Sequence, residues 1–350
     1  MPSSVMPTSR PGEGHPAPAA VTSVGLRKSY GDKVVLDGID LRIPAGSVFA
    51  LLGPNGAGKT TAVKILSTLI TADGGQAQVA GHDIATSPDG VRAAIGVTGQ
   101  FSAVDGLITG EENMLLMADL HHLSKREGRQ VAADLLESFD LTDAAKKPAS
   151  TYSGGMKRRL DLAMTLVGNP RIIFLDEPTT GLDPRSRHNM WGIIRELVAD
   201  GVTVFLTTQY LEEADQLADR IAVLHDGRIA AEGTAEELKR LIPGGHIRLR
   251  LTDPAAYRSA ASALSEVTLH SLPRPAGRTS GDEALTLHIP SDGSQRELRS
   301  ILDLLDAAGI EADELTVHTP DLDDVFFALT GPADLPSQPN QPNQLKENHR

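Results

Sequence analysis

Gly53-Pro-Asn-Gly-Ala-Gly-Lys-Thr60 follows directly on the apolar run Val48-Phe-Ala-Leu-Leu52 and fits the spacing G-x-x-x-x-G-K-[ST]. That spacing describes a phosphate-binding loop. Gly53, Gly56 and Gly58 let the backbone turn tightly enough for successive N–H groups to face one polyphosphate at the start of a helix. Lys59 is then placed for the β- and γ-phosphates, and the Thr60 hydroxyl for magnesium. A strand must precede such a loop and a helix must follow it. Both are legible, since Val63, Leu66 and Ile70 recur at helical spacing behind the loop.

Working outward, a second apolar run, Arg171-Ile-Ile-Phe-Leu-Asp-Glu177, ends in adjacent carboxylates, as a buried parallel strand does when it delivers side chains to a site at its C-terminal end. Asp176 suits magnesium, directly or through water. Glu177 suits the attacking water, because a γ-phosphate site needs a carboxylate that the metal has not taken. Between the two motifs, Tyr152-Ser-Gly-Gly-Met156 opens a segment in which Leu160, Ala163, Met164 and Leu166 carry helical periodicity. Serine and two glycines at a helix start form another anion cradle, from Ser153, Gly154 and Gly155. One nucleotide cannot easily use both cradles of one small domain. Two copies facing head to tail solve this, each nucleotide lying between one copy's phosphate loop and the other's Ser-Gly-Gly.

On these motifs and their order the chain resembles the ATP-binding cassette (ABC) family over roughly residues 20 to 240. The resemblance implies a RecA-like P-loop NTPase of α/β class, with a helical subdomain at about 100–165, that binds ATP and Mg2+ and works as a homodimer. Nucleotide contacts are implied for Tyr30, placed before the first strands and stacking on adenine, and for Gly53, Pro54, Asn55, Gly56, Ala57, Gly58, Lys59, Thr60 and Thr61. From the opposite copy the implied contacts are Ser153, Gly154, Gly155 and Asp183, the last in Gly181-Leu-Asp-Pro184. Thr60, Gln100 and Asp176 are the implied metal residues, and Glu177, Gln209 and Gln100 the catalytic ones, with Gln100 also beside the docking groove for a membrane partner.

Three positions depart from the family pattern. Tyr152 and Met156 replace the signature's leucine and glutamine outside the Ser-Gly-Gly core, and small effects on dimer packing are expected. Gln209 stands where the family has a histidine on the γ-phosphate. Its amide donates a hydrogen bond but carries no charge and exchanges no proton, which predicts slow turnover. Gln209 with Tyr210-Leu-Glu-Glu-Ala-Asp215, a single cassette, and the closing Pro320-Asp-Leu-Asp-Asp-Val-Phe-Phe-Ala-Leu-Thr-Gly331 resemble the daunorubicin-resistance type of ABC ATPase. That likeness implies an ATPase subunit on the cytoplasmic face of the cell membrane, driving efflux of a hydrophobic drug or antibiotic through a separate permease. The other readings are a nucleotide-gated clamp outside transport and a regulator that binds ATP without turnover.

Composition is consistent with this. Thirty-three basic against 46 acidic residues give a net charge of −13, which argues against a nucleic-acid partner bound by a basic footprint. The absence of cysteine excludes disulfides and thiolate metal sites. No apolar run approaches the ~20 residues of a membrane helix, so a pore would belong to another chain.

Residues 1–20, rich in proline, serine and glycine, read as a disordered lead-in, and 331–350 as a polar low-complexity tail. Between them the cassette is expected over 21–242 and an accessory domain over 243–330. Helical patterning marks Glu111 to Leu120 and Arg129 to Phe139, with Met114, Leu115 and Met117 read as core in preference to a partner face. His121 and His122 are adjacent and do not converge on one metal. In the accessory domain a strand at Ile247, Leu249 and Leu251 is followed by a helix Ala255 to Leu264, strands Val267 to Leu272 and Leu285 to Ile289, a helix Arg296 to Ala308 and a strand near Leu315 to Val317. That β-α-β-β-α-β order is a small α+β, ferredoxin-like unit with no catalytic constellation, suited to supporting dimerisation.

Overall fold

The computed structural model describes residues 18–99, 102–241, 245–265, 285–291, 295–318 and 321–330. An antiparallel pair opens it, β1 (Ala19–Tyr30) and β2 (Lys33–Pro44). β3 (Val48–Leu52) then runs through the phosphate loop into α1 (Lys59–Leu66), after which β4 (Gly74–Val79) and β5 (His82–Asp83) complete a first sheet of order β2-β1-β4-β5. α2 (Pro88–Ala94) and β6 (Ile95–Thr98) precede three helices, α3 (Gly110–Leu120), α4 (Lys125–Ser138) and α5 (Gly154–Leu166). β7 (Ile172–Asp176), α6 (Pro184–Ala199), β8 (Thr203–Thr208), α7 (Leu211–Leu217), β9 (Arg220–His225) and β10 (Arg228–Gly233) follow. The second sheet has the order β10-β9-β3-β8-β7-β6 and is parallel from β9 to β6.

Every residue of β3, β7 and β8 is buried, which is why these strands read as unbroken apolar runs and not as alternations. Phe174, Phe205 and Phe49 stand side by side in register across β7, β8 and β3, with neighbouring ring centroids 5.4 Å apart. This ladder aligns the three strands. The same register brings Asp176 beside Thr207 and Leu52 beside Thr208, so the carboxylates and the phosphate loop leave the sheet at one edge.

The edges of several elements differ from expectation. β1 begins at Ala19, inside the expected lead-in, because Ala20 and Val21 pack into the first unit's core. Tyr30 ends β1 instead of preceding the first strands, since the pairing with β2 runs on to Tyr30 opposite Lys33. α4 starts at Lys125, ahead of Arg129, because Ser124 and Glu127 close a capping box; Thr109 and Glu112 do the same for α3. Met114 is fully buried, whereas Leu115 and Met117 are half-buried. His121 and His122 are exposed, and no group of three or more potential metal ligands occurs among the described residues. No helix among them is long and apolar enough to cross a membrane.

The compact units divide at 232/233, earlier than the expected 242/243. The second unit holds α8 (Ala235–Lys239), β11 (His246–Leu251), α9 (Pro254–Ser265), β12 (Thr286–Pro290), α10 (Gln295–Ala307), β13 (Ala312–His318) and α11 (Leu322–Thr330). α8 packs on α11, and this contact draws the boundary ahead of α8. β11 lies between β12 and β13 and is antiparallel to both, with Ile247, Leu249 and Leu251 turned into its own core beside Ile301 and Leu305. The expected strand Val267 to Leu272 lies outside the described residues, as do 1–17 of the lead-in and the tail 331–350.

Candidate nucleotide-binding site

The loop after β3 closes on itself through Lys59. Its buried ammonium donates to the carbonyls of Gly53 at 2.8 Å and Pro54 at 3.1 Å, and lies 3.4 Å from Glu177 Oε1. Burial pulls the Lys59 pKa below its ordinary value, against the pull of the Glu177 charge in the other direction. Gly58, the residue before α1, has φ +111, and a Cβ there would stand 2.8 Å from Val35 O and Leu36 Cδ2. Only glycine meets both conditions. α1 has neither a side-chain cap nor an acidic residue in its first turn, so its leading N–H groups are open to an anion. Val35, Asn55, Gly56, Gly58, Lys59, Thr60, Thr61 and Glu177 line a cleft of about 140 Å3 at this point; Pro54 and Ala57 belong to the same turn, closed by Ala57 N–H to Pro54 O at 3.3 Å.

The carboxylates are placed by β7 and β8. Thr60 Oγ1 donates to Asp176 Oδ1 at 3.2 Å, and Thr207 Oγ1 donates to the same oxygen at 2.6 Å. Glu177 takes a left-handed backbone, φ 51, and its N–H donates to both the carbonyl and the hydroxyl of Thr207, each at 3.1 Å. A non-glycine residue at that φ costs about 1–2 kcal/mol, so the end of β7 is held there by its neighbours. Thr60 and Asp176 are hard oxygen donors set side by side. They fit a divalent cation that draws its remaining ligands from phosphate and water, since no further ligand cluster surrounds them among the described residues.

The other expected residues that are described are not among those lining the cleft. Tyr30 is 51% exposed. Ser153 caps α5, its hydroxyl accepting from Met156 N–H at 3.2 Å, and neither it nor Gly154 and Gly155 line the cleft. Asp183 caps α6; the hydroxyl and N–H of Ser186 hold its pKa below the usual value. Gln209 follows β8, and its Oε1 is buried with no hydrogen-bond partner among the described residues. Gln100 lies outside the described residues. Tyr152 is buried, and its hydroxyl donates to Ala144 O at 2.7 Å.

Sequence reasoning missed three groups. Thr207 was hidden in an apolar run, where only the polar ending Thr207-Thr208 hints at it. Arg158 and Asp161 form a buried ion pair on α5. Glu213 on α7 is fully buried, accepts from Trp191 Nε1 at 3.3 Å, and has its pKa raised by burial.

A glycine-rich loop closed by lysine, opposite a strand ending in two carboxylates, defines a P-loop nucleoside triphosphatase. The ABC transporter family model matches residues 36–180. The chain is 48% identical over 315 residues to a daunorubicin resistance ATP-binding protein of Streptomyces coeruleorubidus, spanning 90% of this chain and 97% of that one. It is 41% identical over 244 residues to Nod factor export ATP-binding protein I of Burkholderia orbicola, spanning 69% and 80%. Among solved structures, the ATP-binding subunit of an ABC transporter superposes with TM-score 0.57 at 28% identity, over 63% of this chain and 92% of that one. A dimeric cassette in a post-hydrolysis state, bound to ADP and Pi, gives 0.56 at 27%, over 61% and 98%. The chain belongs to the ABC transporter family, as one of its ATP-binding cassette ATPases.

Proposed function

We propose that this cassette is the ATP-hydrolysing subunit of an exporter for a hydrophobic drug or antibiotic, working through a separate membrane permease at the cytoplasmic face of the cell membrane. The observation that carries hydrolysis is the convergence of Lys59, Thr60, Asp176 and Glu177 at one sheet edge. In this reading the β- and γ-phosphates take over the contacts that Lys59 makes to its own loop. Thr60, Asp176 and Gln100 hold Mg2+, which when bound neutralises phosphate charge. Glu177 accepts a proton from the attacking water and Gln209 donates to the γ-phosphate.

Ser153, Gly154 and Gly155 do not line the cleft of their own chain, which supports a second copy supplying them together with Asp183, and Tyr30 is exposed for adenine. Drug export is supported by the likeness to daunorubicin resistance proteins along nearly the whole chain, accessory unit included. Docking of a membrane partner at the segment Gln100 to Asp105 rests on the family resemblance and is part of this reading. The ferredoxin-like reading of the accessory unit is part of the same proposal; the strand expected over Val267 to Leu272 lies outside the described residues.

The test is drug accumulation in cells that co-express the chain with a candidate membrane permease. Efflux is expected to need both chains and to disappear with Glu177→Gln, which keeps ATP and accumulates as an ATP-bound dimer in gel filtration. Efflux by the permease alone, or by the Glu177→Gln pair, refutes the proposal.

A further inference from the structure

The side chain of Arg158 is 11% exposed and that of Asp161, its partner one turn along α5, is 4% exposed. Charges are not buried without partners, and the guanidinium spends its donors on three segments. Nε donates to Pro178 O at 2.9 Å and Nη2 to Asp176 O at 3.3 Å, the two carbonyls on either side of Glu177. Nη1 donates to Gly99 O at 3.0 Å and to Asp161 Oδ2 at 3.2 Å. The other oxygen of Asp161 accepts from Ala103 N–H at 3.0 Å. One ion pair on the helix opened by Ser153 therefore grips the backbone at Gly99, just past β6, at Ala103, and at the turn that carries both carboxylates.

We propose that Arg158, braced by Asp161, is a positioning residue for ATP hydrolysis. It fixes the left-handed turn at Glu177 relative to α5 and to the segment leaving β6, so that movement of either reaches the hydrolytic carboxylate. Arg158 does not line the nucleotide cleft, and its effect is on the rate of cleavage and not on the binding of ATP. Lysine does not replace it. An ammonium preserves the charge opposite Asp161 but lacks the planar fork that reaches Gly99, Asp176 and Pro178 at once.

The test compares the native full-length chain with Arg158→Lys, Arg158→Ala and Asp161→Asn, in phosphate release, in binding of a fluorescent ATP analogue, and in thermal melting. Displacing a catalytic group by about 1 Å costs on the order of 100-fold, so kcat is expected to fall about 10- to 100-fold in Arg158→Lys and Arg158→Ala, with analogue affinity within about twofold of native. Both variants should also accumulate the ATP-bound dimer in gel filtration, a behaviour that general loosening of the fold does not produce. Arg158→Ala leaves Asp161 buried and unpaired; if it fails to fold, Arg158→Lys, which keeps the pair, decides. Native kcat in folded Arg158→Lys overturns the proposal, as does a loss of rate matched by a loss of ATP affinity. Because the proposal rests on Glu177 as the hydrolytic carboxylate, Glu177→Gln is measured alongside. Turnover retained there removes that parent reading, whereas turnover lost there but native in Arg158→Lys removes the strut alone.

Discussion

Thr207→Val tests the coupling between β7 and β8 most directly, because it deletes one hydroxyl and keeps the shape of a fully buried side chain. That hydroxyl donates to Asp176 Oδ1 at 2.6 Å and accepts from Glu177 N–H at 3.1 Å. Glu177 N–H keeps a second acceptor, the Thr207 carbonyl at 3.1 Å, so little is lost on that side. The bond to the carboxylate is charge-assisted, and its removal is expected to cost about 1.5–3 kcal/mol. For a domain of 150–250 residues this lowers the melting temperature by about 3–12 °C. Asp176 keeps its contact with Thr60 at 3.2 Å but is no longer held from the β8 side, and we expect a fall of about 10- to 100-fold in kcat with ATP affinity little changed. Thr207→Ser, which retains the hydroxyl, should stay within a few-fold of native. Calorimetry and steady-state phosphate release on the three proteins are the assays. A valine variant that melts and turns over like the native chain would mean that Asp176 is oriented by other groups.

Three further substitutions, at two positions, extend the test. Gln209→Ala, which removes the neutral donor, should lower ATP turnover strongly with little effect on affinity. Gln209→His should retain activity and acquire a rate dependence between about pH 6 and 8 that the native chain lacks, measured by phosphate release across that range. Turnover at the native rate in Gln209→Ala would take Gln209 away from the γ-phosphate. Glu213→Gln should stabilise the first unit at neutral pH, because burial raises the folded pKa of Glu213 above glutamate's ordinary 4.5. A carboxyl shifted that way penalises folding as pH rises from the unfolded pKa towards the folded one, so the gain over native should be absent near pH 4, grow with pH and then level off. Denaturant melts at a series of pH values check this; a gain that is constant with pH, or none, rejects it.

What the sequence disclosed and what it withheld divide along one physical line. The phosphate loop, the carboxylate pair and the serine-glycine cradle were legible because each is a local arrangement in which side chain and backbone conformation follow from residues a few positions apart. The accessory strands at Ile247 to Leu251 and Leu285 to Ile289 were legible for the same reason, through period-two alternation. Strand edges were less so. β1 runs on through Tyr30, and α4 starts from a capping box that the apolar periodicity alone does not register.

Thr207 and Arg158 escaped for a different cause. Their importance lies in register between segments far apart in sequence: Thr207 meets Asp176 only because β7 and β8 align through the Phe174–Phe205–Phe49 ladder. Arg158 reaches Gly99 and Pro178 only because the fold sets α5 against the segments that follow β6 and β7. Periodicity specifies which face of an element is buried but leaves its alignment with a non-adjacent strand free. The left-handed Glu177 shows what that alignment achieves. Nothing in Leu175-Asp-Glu-Pro178 requires φ 51, and glutamate gains nothing locally from it. The turn persists because Thr207 holds its N–H from one side while Arg158 holds the flanking carbonyls from the other, so the orientation of the hydrolytic carboxylate is a tertiary property imposed on an unfavourable local conformation.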